Sequence, residues 1–360
     1  MAANAHKAAP VSVPYHTEPR GVGPVTVSDT RRGTIVADDQ TSRSPEADRG
    51  REAERPQDIP ARGWKDVLVR AYGASSQKNL SLVAGGVTYY VLLALFPGLA
   101  ALVSVYGLVA DPAQVEKQVG ALSGLVPGSA QKMIGDELHQ LVSSSGSALS
   151  IGAVVGLLIS IWSASRGMSG MITALDIAYG QEERRSFFRF NLVAIALTLG
   201  LIAGGMVSIA LIAVLPAVVS GGGASTTTKW VSYVVEWPLL MVLMMATLAI
   251  LYRYAPDRRK PRWEWISPGA ATATLLWIAG SALFTIYVAH FSNYNKTYGS
   301  LGALIALLTW LWLSAYVVLL GAEINGQSER QTRHDSTAGR PKSMGQRGAY
   351  AADTVGKARS

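Results

Sequence analysis

The five histidines, His6, His16, His139, His290 and His334, are scattered along the chain, and no two stand at metal-ligand spacing. There is no cysteine, which excludes thiolate metal sites, disulfides and a cysteine nucleophile. The sequence also lacks a G-x-S-x-G elbow, a Walker A loop and a G-x-G-x-x-G turn. The residues left to consider are polar ones set in or beside long apolar runs, where each is costly to bury. Arg166 lies in Ser163-Ala164-Ser165-Arg166-Gly167, near the end of one such run. Asp176 follows that run, Asn191 opens the next, and Glu323 and Asn325 close the last. At 1.5 Å per helical residue, Arg166 sits roughly 24 Å from the start of its run, close to the same boundary as the others. Two readings are open. The five could converge as an inner gate for an ion or substrate. They could equally be interface-level charges that pair and snorkel. Glu236 has a blander explanation: Pro238 follows it, which suits a helix N-terminus at the interface.

The elements that hold these residues are set by hydropathy. The chain is 49% hydrophobic and only 16% charged. A span needs roughly 20 mostly apolar residues. Six stretches qualify: about 82–110, 150–171, 192–219, 231–252, 266–291 and 300–324. None alternates with period 2, so the expected fold is an all-α polytopic membrane bundle of six transmembrane helices. Pro97 is expected to break the first span, and membrane helices tolerate such residues. The pairs Gly152/Gly156 and Gly200/Gly204 suggest close helix packing, with self-association through small-residue faces as the minor reading.

Basic residues alternate between loops. Arg184, Arg185 and Arg189 follow the second stretch, and Arg253, Arg258, Arg259, Lys260 and Arg262 follow the fourth. Arg62, Lys65, Arg70 and Lys78 precede the first, and Arg330, Arg333, Arg340 and Lys342 follow the sixth. The other connections carry only Lys117, Lys132, Lys229 and Lys296. The positive-inside rule then places both termini in the cytoplasm. The net charge of +8 is accounted for by lipid-facing loops rather than nucleic acid. The first external connection, 111–149, carries Val115, Val119, Leu122 and Val126, then Ile134, Leu138, Leu141 and Val142, at helical spacing. Two short amphipathic helices are expected there. Residues 1–63 and 327–360 are polar and rich in Pro, Gly, Ser and Arg, and are expected to be disordered around a membrane domain at 64–326.

A series of motifs resembles one family. It runs from Ala84-Gly85-Gly86-Val87-Thr88-Tyr89-Tyr90 and Leu95-Phe96-Pro97, through the Arg166 segment and Ala174-Leu175-Asp176, to Tyr254-Ala255-Pro256. It continues with Tyr298-Gly299-Ser300-Leu301-Gly302 and closes on Gly321-Ala322-Glu323-Ile324-Asn325. This order resembles the YihY/BrkB family of bacterial inner-membrane proteins, once labelled ribonuclease BN, over about 64–330. The resemblance marks Thr88, Tyr89, Tyr90, Pro97, Tyr298, Gly299, Ser300 and Gly302 as motif or cavity positions. Asp176 departs from it, since family members usually carry Asn there. The resemblance implies a multi-pass inner-membrane protein without cofactor or metal. Its expected role is transport or export of a small solute or lipid, with a non-transporting envelope scaffold as the alternative. A ribonuclease would need clustered acid, base or metal-binding groups in a wet cleft, and the sequence offers none. No enzymatic activity and no nucleic-acid partner are therefore expected.

Overall fold

The computed structural model describes residues 49–109, 151–220, 226–290 and 300–358, with side chains described over most of these. All of them belong to the compact unit Arg43–Ser360. The order is a 3-10 turn at Pro56–Asp58, α1 (Ala61–Gln77), α2 (Leu80–Val109), α3 (Ile151–Tyr179), α4 (Phe187–Ser220) and α5 (Thr226–Tyr254). A 3-10 turn at Trp263–Trp265 leads to α6 (Ser267–His290), α7 (Ser300–Glu329) and a final turn, α8 (Tyr350–Asp353). Among the described residues the fold is all-helical.

The long helices pack as a ring. Each from α2 to α7 contacts the next, α7 closes back on α2, and α7 also meets α3 across the bundle. The core lies between them, with Leu80, Ala84, Ile172, Leu175, Leu248, Ile266, Ala273 and Leu319 fully or almost fully buried. The outer faces are apolar. Five segments are long and apolar enough to cross a membrane: Leu80–Gly98, Phe187–Ile212, Val235–Tyr254, Trp263–Val288 and Leu304–Glu329. Only 11% to 28% of their residues are buried, so most apolar side chains point outward, as a lipid environment requires. The described part of α3 is not among the five. It carries Arg166, Asp176 and a row of hydroxyls (Ser160, Ser163, Ser165, Ser169, Thr173). The six-span count therefore turns on α3.

Several expectations are corrected. The first helix is not broken: α2 runs through Pro97 without interruption. Pro238 does not mark a helix start, because α5 begins at Thr226 and Pro238 is interior. Among the described residues, a Cβ added at Gly156 or Gly200 would meet nothing, while one at Gly204 would make ordinary contact with Thr247 at 3.7 Å. The close approaches are elsewhere. Gly269 of α6 faces the Gly321 carbonyl and the Asn325 side chain of α7, and Gly167 and Gly170 of α3 face Tyr90 and Ala94 of α2.

The polar ends also differ from expectation in their described parts. Residues 49–63 and 327–358 are packed rather than disordered. Arg51, Gln331, Thr332, Ser336, Thr337 and Arg347 are buried, and so are Ala53, Ile59, Ala349, Ala351 and Ala352. Arginine forks hold the chain ends together by backbone carbonyls. Arg51 donates to the carbonyls of Gln331 (3.3 Å) and Gly356 (2.6 Å). Arg347 donates to those of Ala352 (2.7 Å) and Arg333 (2.7 Å). Low hydropathy hid this because the segments are ordered by hydrogen bonds rather than by apolar burial. The connection at 111–149, and with it the two amphipathic helices expected there, lies outside the described residues, as do Tyr298 and Gly299.

Candidate functional site

The end of the bundle where α3, α5 and α7 finish and α4 and α6 begin carries the arginine-rich loops. Three separate polar arrangements are built there. The first starts at the end of α3. Gly180 (φ +67°) closes the helix, with the Gln181 N–H returning to the Asp176 carbonyl at 2.8 Å. This turn folds Glu183 and Arg185 back over Asp176. Asp176 is 3% exposed, and its Oδ1 accepts the backbone N–H of Asp257 at 2.8 Å. Arg185, almost fully buried, donates to Glu183 (2.8 Å) and to the Ala255 carbonyl (2.9 Å). It lies 4.0 Å from Asp176 and 3.9 Å from Asp257. The α3–α4 and α5–α6 loops are thus tied through one guanidinium. Asp176 Oδ2 is buried without a donor. Burial raises the Asp176 carboxyl to about 7; the Asp257 N–H opposes this and the neighbouring Glu183 charge adds to it. Glu183 is held below the ordinary carboxylate range: burial opposes this, and hydrogen bonds from Arg185 outweigh it.

The second arrangement joins α7 to the α5–α6 loop. Arg258 and Glu329 form a fully buried ion pair at 2.6 Å, and Ser336 donates to the same carboxylate oxygen at 2.7 Å. The Arg258 guanidinium stands 4.8 Å over the Tyr179 ring. Asn325 accepts the Gly269 N–H at 2.7 Å and donates to the Tyr179 hydroxyl at 3.4 Å. In the third, Lys78 pairs with buried Glu323 at 2.7 Å, and Gln327 donates to the other oxygen of that carboxylate at 2.8 Å. Arg70 of α1 reaches Gln327 (3.1 Å) and Gln331 (2.6 Å).

Arg166 belongs to none of these. Its guanidinium donates to Asn191 at 2.7 Å and lies 4.2 Å over the Trp162 ring. Asn191 is oriented in turn by donating to the Phe187 carbonyl at 2.7 Å. The five candidate residues are therefore divided, and Asp176 is committed to the Asp257 backbone and Arg185 rather than to Arg166. The decisive partners (Arg70, Lys78, Arg185, Asp257, Arg258 and Glu329) were legible in sequence only as loop charge or tail. Contacts spanning up to 261 positions carry no local signal.

A groove of about 450 Å³ opens on the outer face between α2 and α7. Gly85, Thr88, Tyr89, Leu92, Leu308, Thr309 and Trp312 line it. Two of the expected cavity residues, Thr88 and Tyr89, are present, and Arg166 is not. The hydroxyls of Thr88 and Thr309 donate to the carbonyls of Ala84 and Ile305, each at 2.8 Å, and the Trp312 N–H donates to the Ser81 carbonyl at 3.0 Å. Apart from the Tyr89 hydroxyl, the groove wall is thus largely apolar. Tyr90 packs instead toward Gly170, and Pro97 and Gly302 lie in α2 and α7 outside the groove. Ser300 opens α7. Among the described residues no group of three His, Asp or Glu side chains could hold a metal ion.

The family profile described as virulence factor BrkB matches residues 71–346, most of the chain. The chain belongs to the BrkB family. A ribonuclease-like protein of Bacillus subtilis, YfkH, is 32% identical over 244 residues, covering 66% of this chain and 86% of that protein. A UPF0761 membrane protein of Pseudoalteromonas atlantica is 29% identical over 275 residues, covering 72% and 89%. Another from Haemophilus influenzae is 27% identical over 257 residues, covering 69% and 90%. No solved structure matches. The BrkB chain is thus an integral membrane protein whose bundle contacts the lipid bilayer.

Proposed function

We propose that this BrkB-family protein handles lipid or a lipid-like amphiphile at the α2–α7 groove, in the inner membrane with the arginine-rich end in the cytoplasm. The groove carries the reading. It opens toward the lipid-facing surface, its two threonine hydroxyls and its indole N–H donate within the protein, and the Tyr89 hydroxyl is the remaining polar side-chain group of the lining. A polar solute would find little beyond the Tyr89 hydroxyl to bind, whereas an acyl chain needs no polar partner. Charges in the spanning segments sit near their ends (Arg189, Glu236, Arg253, Glu264, Glu323, Glu329), so ion coupling at mid-membrane has no support among the described residues. Downhill lipid movement is the form of transport that fits.

Reconstitution tests this. Proteoliposomes are expected to redistribute a fluorescent phospholipid between leaflets and to retain a trapped small solute. Gly85→Trp fills the groove without meeting other atoms at its Cβ, and is expected to abolish redistribution while leaving the fold intact. Well-folded protein that moves no lipid, or a Gly85→Trp variant with unchanged activity, refutes the reading. Retention of both lipid and solute would favour the scaffold alternative, which the lack of mid-span charge also suits. A ribonuclease role gains no support from the arrangement of side chains at the arginine-rich end, since its acids and bases are committed to one another.

A further inference from the structure

We infer that Arg253, Tyr254, Lys260 and Trp263 form a binding site for the headgroup of an anionic phospholipid. The connection from α5 to α6 carries five cations, and the fold uses them differently. Arg258 is neutralised by Glu329 in a fully buried pair, and Arg259 lies 3.8 Å from the Asp335 carboxylate. Arg262 donates to the Asp335 carbonyl at 2.7 Å. Arg253 and Lys260 meet aromatic rings instead. The Arg253 guanidinium stands 4.4 Å from the centre of the Trp263 ring and 5.9 Å from that of Tyr254, and the Lys260 ammonium stands 4.5 Å from that of Tyr254. The two rings meet edge to face at 6.4 Å. Arg253 makes one hydrogen bond among the described residues, from Nη1 to the Pro261 carbonyl. Neither it nor Lys260 has a carboxylate in ion-pair range among them. A ring face attracts a cation through its quadrupole and leaves the charge uncancelled. The cluster therefore keeps a net positive charge, and it does so at the surface: Tyr254 is 39% exposed, Trp263 49%, and Lys260 is exposed as well.

Position identifies the ligand. Tyr254 closes one of the membrane-length segments, Val235–Tyr254, and Trp263 opens the next, Trp263–Val288. Both helices leave the apolar layer at this point, so the two cations stand at headgroup level. One turn inward from Tyr254 on the same face of α5, Ile250 is 46% exposed and offers its surface to an acyl chain. Glu264, the carboxylate beside Trp263 in the chain, lies 3.9 Å from Arg55. A zwitterionic lipid brings a further cation to a cluster that already has two, whereas a net-negative lipid neutralises it. A soluble anion matches the charge and leaves Ile250 and the exposed ring faces uncovered. Charge and apolar surface together therefore select an anionic phospholipid. The inference rests on the membrane embedding of the bundle and is independent of lipid movement at the groove.

The absence of native cysteine makes the test direct. An Ile250→Cys variant of the full chain carries a single fluorophore beside the site. It is reconstituted in phosphatidylcholine vesicles that contain a minor fraction of phosphatidylglycerol or phosphatidylcholine bearing a nitroxide on the upper acyl chain. At equal mole fraction the phosphatidylglycerol probe is expected to quench several-fold more. A Leu283→Cys label, toward the other end of α6 and 68% exposed, should show no preference. Lys260→Gln should bring the quenching ratio at position 250 close to one, and Lys260→Arg should keep it. Lys260→Gln should also leave thermal unfolding unchanged, since among the described residues the ammonium contacts only the Tyr254 ring. Arg253→Gln is the second variant and should lower the ratio in the same direction. Equal quenching by the two lipids in the parent protein overturns the inference. So does a preference that Lys260→Gln and Arg253→Gln together leave unchanged, or one of the same size at position 283. Inorganic phosphate that abolishes the preference at constant ionic strength would assign the site to a soluble anion and overturn it as well.

Discussion

Replacing Asp176 by Asn should stabilise the protein at alkaline pH, although it removes a buried charged group. Asp176 is almost wholly buried, accepts one N–H from Asp257, and has no donor at Oδ2. Its carboxyl is raised from 3.8 to about 7, chiefly by burial. A carboxyl with a raised folded-state value binds more protons folded than unfolded. Its contribution is therefore most favourable below about pH 4 and is lost as pH rises toward about 7. The rise from 3.8 to about 7, at about 1.4 kcal/mol per tenfold change in proton affinity, puts the cost above pH 7 at about 4 kcal/mol. Asn mimics the protonated acid: its oxygen keeps the Asp257 N–H, and its amide can donate toward Glu183. Asp176→Asn is expected to gain up to about 4 kcal/mol at pH 8 and nearly nothing at pH 4. Denaturant unfolding in mixed micelles across that range reads this directly, and infrared spectroscopy should show a protonated carboxyl band at pH 6 that the variant lacks. A wild-type stability that does not fall between pH 4 and 8, or a variant weaker at every pH, refutes the reasoning.

Breaking the Arg258–Glu329 pair with Glu329→Gln should cost roughly 3–5 kcal/mol in the same unfolding assay, because it strands a fully buried guanidinium. Replacing both residues by Met should recover much of that loss, and failure to do so would mean the pair does more than balance charge. Gly321→Ala should prevent normal α6–α7 docking, since its Cβ would stand 2.5 Å from the Tyr252 hydroxyl and 2.7 Å from the Gly269 carbonyl. Gly200→Ala, whose Cβ meets nothing, should be neutral by thermal unfolding.

Parts of the polar end were legible in advance. Asp176, Asn191, Glu323 and Asn325 stood out because a polar residue against an apolar run is conspicuous whatever its partner. Their pairings were not legible. Lys78 meets Glu323 across 245 positions, and Arg258 meets Glu329 across 71. The α1 helix was hidden for a related reason: its buried Asp66, Arg70 and Ser75 leave it without an apolar run long enough to stand out. The same holds for residues 330–358, whose order comes from Arg51 and Arg347 forks on backbone carbonyls.

Hydropathy and loop charge are properties of short windows, because transfer into lipid is priced residue by residue. The sequence alone therefore determined the helical membrane class, the approximate extent of most long helices and the family motifs. The division of the candidate polar cluster among three networks and a separate Arg166–Asn191 pair was decided only by the tertiary structure. So were the uninterrupted helix through Pro97 and the glycines at which helices touch. Each depends on which distant atoms share a few ångströms, and desolvation makes those short-range partnerships decisive at this end of the bundle.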